Sequence, residues 1–167
     1  MTLKVSVGFG LRDEDWEGAA TWAVECERLG VDSIWNAETW GFDAATPLAF
    51  IAARTSKIKL GTGIMQVGAR TPANVAMIAL TLASMSGDRF MLGLGTSGPQ
   101  VIEGWHGTSF ARPYTRLRET VEIVRLASSG ERLAYEGNAF QLPLPGGEGR
   151  AIRPGAPSRH IPIYLAT

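Results

Sequence analysis

The chain has a single cysteine, Cys26, so no disulfide can form within it, and a predicted helix around that residue points to a buried thiol. It has two histidines, His106 and His160, far apart and far from Cys26. That is not metal-ligand spacing, and no metal is expected. Charge of one sign is missing too: 16 basic side chains balance 16 acidic ones, with no Lys/Arg run. Neither nucleic acid nor an anionic membrane surface is favoured as a partner. The longest nearly apolar stretch, Val75 to Met85, contains Thr81 and Ser84 and is too short to span a bilayer. The start, Met1-Thr2-Leu3-Lys4, leads straight into a strand-like run rather than a signal-peptide core, so a cytoplasmic protein is the simplest expectation. There is no Gly-x-Ser-x-Gly elbow for a serine nucleophile. The glycine-rich stretch near residue 95 is not the dinucleotide fingerprint, because Gly98-Pro99 interrupts it.

What is present is an alternation. Strands are predicted at residues 3–10, 31–36, 57–61 and 89–95. Helices are predicted between and after them. The first is Trp16 to Leu29, with Asp13 and Asp15 at its start, Gly30 at its end, and an apolar face of Trp16, Ala20, Ala23, Cys26 or Glu27, and Leu29. The second opens at Thr46-Pro47 and runs to about Thr55, and the third runs from Thr71-Pro72 to about Ser86; each has Thr as cap and Pro in the first turn. The fourth, Tyr114 to Leu126, is apolar at Leu117, Val121 and Val124, with Arg118 and Glu122 on a solvated face. Four strand–helix repeats argue parallel βα units. An insertion at about 131–160 breaks the pattern: Leu133 to Leu142 reads as a hairpin turning at Gly137-Asn138, and a Pro/Gly-rich loop follows from Pro143 to Pro157. Ile161 to Thr167 reads as a fifth strand.

The densest stretch is Gly93-Leu94-Gly95-Thr96-Ser97-Gly98-Pro99-Gln100-Val101, followed by Glu103-Gly104-Trp105-His106-Gly107. Glycine inside a strand usually marks close approach by backbone or ligand. On composition alone an ordinary strand-to-helix turn accounts for it as well. Together with Asn36-Ala37-Glu38-Thr39-Trp40-Gly41-Phe42-Asp43 and Leu60-Gly61-Thr62-Gly63-Ile64, the stretch resembles the luciferase-like monooxygenase superfamily. The branch it is most similar to uses the deazaflavin coenzyme F-420 and includes methylenetetrahydromethanopterin reductase-like enzymes. The resemblance runs over nearly the whole chain in the family's order.

The resemblance implies an α/β fold, a partial TIM (β/α)8 barrel of about five parallel strands, in which residues 1–167 are the N-terminal portion. A complete barrel needs about 250 residues, and five strands cannot close it. A homo-oligomer, or a complementing C-terminal half, is therefore expected to cover the open sheet. The implied activity is that of an oxidoreductase moving hydride between F-420 and an organic substrate, with FMN as the alternative cofactor. A reading of another class is a non-catalytic half-barrel that associates with itself or with a second chain.

In such barrels the working residues sit at the C-terminal ends of the strands. Gly8-Phe9-Gly10 is either a pocket floor or a plain loop exit. Glu38, just past an apolar strand end and so partly desolvated, is the candidate for proton handling and, by resemblance, for coenzyme contact, against the alternative of a surface carboxylate. Trp40 is, by resemblance, the wall of the substrate pocket, or else a packing residue. By resemblance, Gly63 and Ile64 form a bulge with a cis peptide behind the flavin-like ring; the alternative is a trans strand with a glycine bulge. Thr96, Ser97, Gly98, Pro99, Gln100 and Val101 would meet the ring edge and the ribityl chain, again by resemblance. The family's proton-handling histidine is not carried over, because Thr39 stands there. His106 reads as a loop residue fixing the next helix, against the alternative of a proton donor in the pocket, and His160 as exposed or structural.

Overall fold

The structure is a computed structural model and describes residues 3–11 and 14–166. Five strands run parallel, side by side, in the order in which the chain visits them. They are β1 (Ser6–Phe9), β2 (Ser33–Asn36), β3 (Lys59–Thr62) with its continuation β4 (Met65–Gln66), β5 (Phe90–Gly95) and β8 (Ile163–Ala166). β4 and β8 both pair with Leu94 and Gly95, so they lie on opposite edges of β5. Between the strands come α1 (Trp16–Arg28), α2 (Thr46–Ala52), α3 (Pro72–Ser86), a single turn α4 (Pro99–Ile102) and α5 (Pro113–Ser128). β6 (Tyr135–Glu136) and β7 (Gln141–Leu142) form the expected antiparallel hairpin.

Every residue of β5 is buried, as a central parallel strand demands. One face of the sheet carries Ile34, Leu60, Leu92 and Leu94 against Leu48, Ile51, Val75, Ala79, Leu117 and Val124 of the helices. On the other face, Trp35 lies across glycine. A Cβ on Gly61 would sit 2.4 Å from its ring, and Tyr164 meets it edge-on at 5.2 Å. Among the described residues no helix is long and apolar enough to cross a membrane.

Several helix ends differ from the expectation. The Asp15 carboxylate caps α1, accepting from the Gly18 amide at 2.8 Å; Asp13 lies outside the described residues. Thr46 does not cap α2. Asp43 does so from three residues upstream, where its Oδ1 accepts from the amides of Ala45 and Thr46 at 2.7 and 2.8 Å. The Asp43 carboxyl is held below its ordinary value: burial pushes it up, but these hydrogen bonds outweigh that. Thr71 caps α3 as expected, and Gly87 closes it with φ +64. Ala19, Ala20, Ala23 and Cys26 form the buried face of α1, while Leu29 is 66% exposed. Burial pushes the Cys26 thiol up, in keeping with an inert side chain. Glu27 belongs to no apolar face. It turns toward the next loop and accepts amides from Ser56, Lys57 and Ile58. Burial opposes its ionisation, yet these bonds hold its carboxyl down at about 2.

Candidate functional site at the C-terminal strand ends

β3 and β4 are one strand interrupted by a bulge. Gly61 faces Met91 and Met65 faces Leu94, so this side carries one more residue than β5 over the same interval. The extra residue falls at Gly63–Ile64, whose peptide bond is cis, as the resemblance implies. The Thr62 hydroxyl replaces the interrupted ladder: its Oγ1 accepts from the Gly93 amide and donates to the Gly93 carbonyl, both at 2.8 Å. Of the two causes that strand glycines suggest, backbone or ligand, Gly93 and Gly95 show close approach by the chain itself. A Cβ on Gly93 would lie 1.8 Å from the Thr62 carbonyl oxygen, and one on Gly95 would lie 2.9 Å from Ile64 Cγ1. Both glycines make room for the bulge.

Glu38 is almost fully buried, its side chain 6% exposed, and four donors hold it. Oε1 accepts from the Gln66 amide at 2.8 Å and from Arg70 Nη1 at 2.5 Å; Oε2 accepts from the Ala44 amide at 3.0 Å and from Arg70 Nη2 at 2.8 Å. The alternative of a surface carboxylate is set aside: Glu38 is buried, and all four bonds it accepts come from the chain itself. Such a bidentate guanidinium pair supplies fixed geometry. It ties the β2–α2 loop to β4 and to the approach of α3. Gln66, 1% exposed, completes the knot through Nε2, which donates to the carbonyls of Glu38 and Thr39. Asn36 Nδ2 donates to the carbonyls of Asp43 and Ala44. In the sequence Gln66 and Arg70 have no assigned role, and Asn36 and Asp43 appear only within the motif that carries the resemblance. Arg70 stands 32 residues from Glu38, and nothing in the local pattern marks the pair.

The Thr96–Val101 stretch is not a plain turn. Ser97 takes φ +57, and Pro99 opens one helical turn, the strand-to-helix alternative. The amide of Val101 already donates to the Gly98 carbonyl, and the Val101 side chain is buried. Beside Gly98 lies open space, as beside Gly8 and Gly10. Two clefts open at these strand ends. Phe9, Gly10, Asn36, Thr39, Phe42 and neighbours line one of about 320 Å3. Trp40, Gln100, Val101, Gly104 and Trp105 line one of about 450 Å3. Of the candidates, Trp40, Gln100 and Val101 line the second cleft, while Glu38, Gly63, Ile64 and Thr96 to Pro99 line neither and share with them only the C-terminal end of the parallel sheet, the mouth. His106 is exposed, and its imidazole makes no hydrogen bond with the described residues, so it does not fix the next helix. His160 is exposed before β8, at the opposite end of the strands, as expected.

Comparison with known proteins bears on what this mouth is. A protein of Mycobacterium tuberculosis named as a coenzyme F-420-dependent oxidoreductase is 47% identical over 146 residues, which are 83% of this chain and 42% of that one. The F-420-dependent tetrahydromethanopterin reductase of Methanopyrus kandleri shares the fold with a TM-score of 0.82 at 22% identity, covering 99% of this chain and 50% of that one. The oxygenating constituent of 3,6-diketocamphane monooxygenase from Pseudomonas putida, solved with FMN, shares it with a TM-score of 0.79 at 19% identity, over 99% of this chain and 51% of that one. The chain therefore spans about half the length of the relatives it matches, and its five parallel strands correspond to half of a TIM barrel. The family model described as luciferase-like monooxygenase matches residues 2–167, and to that family the chain belongs.

Proposed function

We propose that this chain carries the ring side of a site where coenzyme F-420 exchanges hydride with an organic substrate. The observation that carries the reading is the register-breaking bulge between β3 and β4, opposite Leu92–Gly93, with the Ile64 side chain against Gly95, the residue before Thr96–Val101. The name of the Mycobacterium relative favours the deazaflavin. F-420 supplies the hydride chemistry, and the protein supplies orientation and shielding. The residues present fit a flat ring with a polar edge. Space is open beside Gly8, Gly10 and Gly98, and the adjoining clefts fall within the usual range of about 300–1,000 Å3 for small-molecule sites. Gly63 and Ile64 would back the ring, and Thr96 and Ser97 would offer hydroxyls to its edge. Pro99 opens the turn that sets Gln100 at the cleft. Glu38 acts as a positioning residue that fixes the bulge side of the mouth. Trp40 would face substrate.

The phosphate-bearing tail of the coenzyme would be held by the complementing C-terminal half of the barrel, fused or as a second chain. Each charge-assisted hydrogen bond to it contributes about 1.5–3 kcal/mol, and each 1.4 kcal/mol is about tenfold in affinity. The 167-residue chain alone should then bind F-420 orders of magnitude more weakly than the completed barrel and show no useful turnover. Fluorescence titration of F-420 into the chain, with and without the other half, tests this. Micromolar binding with normal catalysis by the chain alone would refute the division of the site. A parallel titration with FMN tests the alternative that the FMN-bound relative of similar fold supports; tighter FMN binding and oxygen-dependent turnover would replace F-420 as the cofactor.

A further inference from the structure

Two exposed tryptophans face one cleft. Trp40 is 64% exposed and Trp105 is 63% exposed, and both line the cleft of about 450 Å3 beside Gln100, Val101 and Gly104. Exposed indoles on mobile chain would carry little information. These two stand on loops pinned independently. The Trp40 loop is held by Gln66, whose Nε2 donates to the Thr39 carbonyl at 3.1 Å. The Trp105 loop is held by its own amide, which donates to the Val101 carbonyl at 3.1 Å, and by Thr108, whose hydroxyl donates to the Gly68 carbonyl at 3.0 Å. A Cβ on Gly104 would lie 2.5 Å from the Gln100 carbonyl oxygen, so the turn that presents Trp105 closes only on glycine there. Rigid support beneath unburied aromatic surface is the pattern of a preorganised binding wall.

The chemistry of that wall is specific. The described residues lining it carry no charge, and Gln100 contributes its one amide side chain. An anionic substrate would be desolvated there without a partner. A flat ring would gain stacking or edge contacts from two indoles, and a carbonyl or hydroxyl would find the Gln100 amide. We infer that the Trp40–Trp105 cleft selects an uncharged, ring-bearing alcohol or ketone as the organic substrate of this mouth. This rests on the reading of the mouth as the reacting end.

The test uses the 167-residue chain and two probes that differ only in charge at the ring substituent: acetophenone and benzoate. The five tryptophans give five indole N–H signals in a 15N-labelled sample, assigned with Trp40→Phe and Trp105→Phe. Acetophenone should move the Trp40 and Trp105 signals saturably in the millimolar range, and benzoate should not. Trp105→Ala should raise the acetophenone midpoint about five- to tenfold while the other indole signals keep their positions. The inference is overturned if acetophenone leaves both signals unmoved, if benzoate moves them with equal affinity, or if Trp105→Ala leaves the midpoint unchanged. F-420, titrated separately into the chain completed by its C-terminal half and followed at the Gly63 and Val101 amides, reports on the cofactor reading alone. Its failure there beside successful acetophenone binding would remove F-420 and leave the cleft.

Discussion

Two buried carboxylates hold two different loops, and they do it differently. Glu38, at the mouth, receives two backbone amides and a bidentate Arg70 whose side chain is only 17% exposed. Glu119, on α5, is 0% exposed and receives three amides, from Asn138, Ala139 and Phe140 at the turn of the β6–β7 hairpin. Among the described residues the cation paired with it is Arg118, 3.7 Å away and 63% exposed. The mouth loop is thus clamped through a desolvated ion pair, and the hairpin turn through its own amides on Glu119, with Arg112 on the Asn138 carbonyl and Arg116 over the Phe140 ring beside them. An ion pair of this kind is strongly coupled: removing one partner strands the other charge. Amides gathered on one carboxylate make a local dock, whose loss frees one hairpin without disturbing the sheet. The difference suits the two places, since the mouth needs fixed geometry and the insertion needs only attachment.

The largest effect should come from Arg70→Ala, which leaves the Glu38 carboxylate buried with two amides and no cation. A loss of about 3–5 kcal/mol is expected in urea unfolding. Adding Glu38→Gln should recover part of it, because the stranded charge is then gone. A cost below about 1 kcal/mol for Arg70→Ala would show that the mouth is held by amides, like the hairpin, and would erase the contrast.

Glu119→Ala comes next, at about 2–3 kcal/mol, because three amides lose their acceptor in a buried place. Hydrogen exchange should accelerate at Asn138, Ala139 and Phe140 and stay slow at Gly63 and Gln66. Acceleration across the whole sheet would mean that the hairpin is part of the core rather than docked on it. Acid should act in the same direction. Burial pushes the Glu119 carboxyl up, but the three amides and Arg118 outweigh it and hold it below its ordinary 4.5. A depressed carboxylate contributes stability that is complete above 4.5 and is lost as pH falls through its folded value. Exchange protection at 138–140 should therefore fall as pH drops below 4.5, after correction for the intrinsic rate.

Glu27, on α1, offers a third carboxylate, held by amides of the α2–β3 loop, and a smaller effect. Its carboxyl sits at about 2, so its contribution is complete above 4.5 and lost only as pH approaches 2. The amides of Ser56, Lys57 and Ile58 should keep their protection through pH 3, and early loss there would break the analogy with Glu119. Smallest of all is Tyr135→Phe. The Tyr135 hydroxyl donates to the exposed Glu122, and the phenol is pushed up to about 12 by burial and by that carboxylate. The substitution should cost about 0.5 kcal/mol. Absorbance titration of the wild-type chain should show one of its three tyrosines ionising late.

The alternation of strands and helices was legible because periodicity and breakers are local: α1 and α3 begin at Trp16 and Pro72 and end at Arg28 and Ser86, within a residue of their predicted limits. The hairpin turn at Gly137-Asn138 was legible for the same reason. The cap of α2 was not, because Thr46-Pro47 mimics the start that Thr71-Pro72 makes, while Asp43 reaches the same amides from upstream. Nor was the reason for Gly93 and Gly95. A glycine in a strand says that something comes close, and only the register says that it is Thr62 and Ile64.

By itself, then, the sequence determined the repeated βα order, the insertion and the candidate stretches at the strand ends, since each is written in residues that are neighbours along the chain. Only the tertiary structure decided what Glu38 does and which residues share a cleft. Arg70, Gln66 and Ala44 lie 32, 28 and 6 residues from Glu38, and Trp105 comes to Trp40 from the far side of β5. Parallel strands joined by helical crossovers bring their C-terminal ends together, so the chemistry of the mouth is set by contacts that no local pattern encodes.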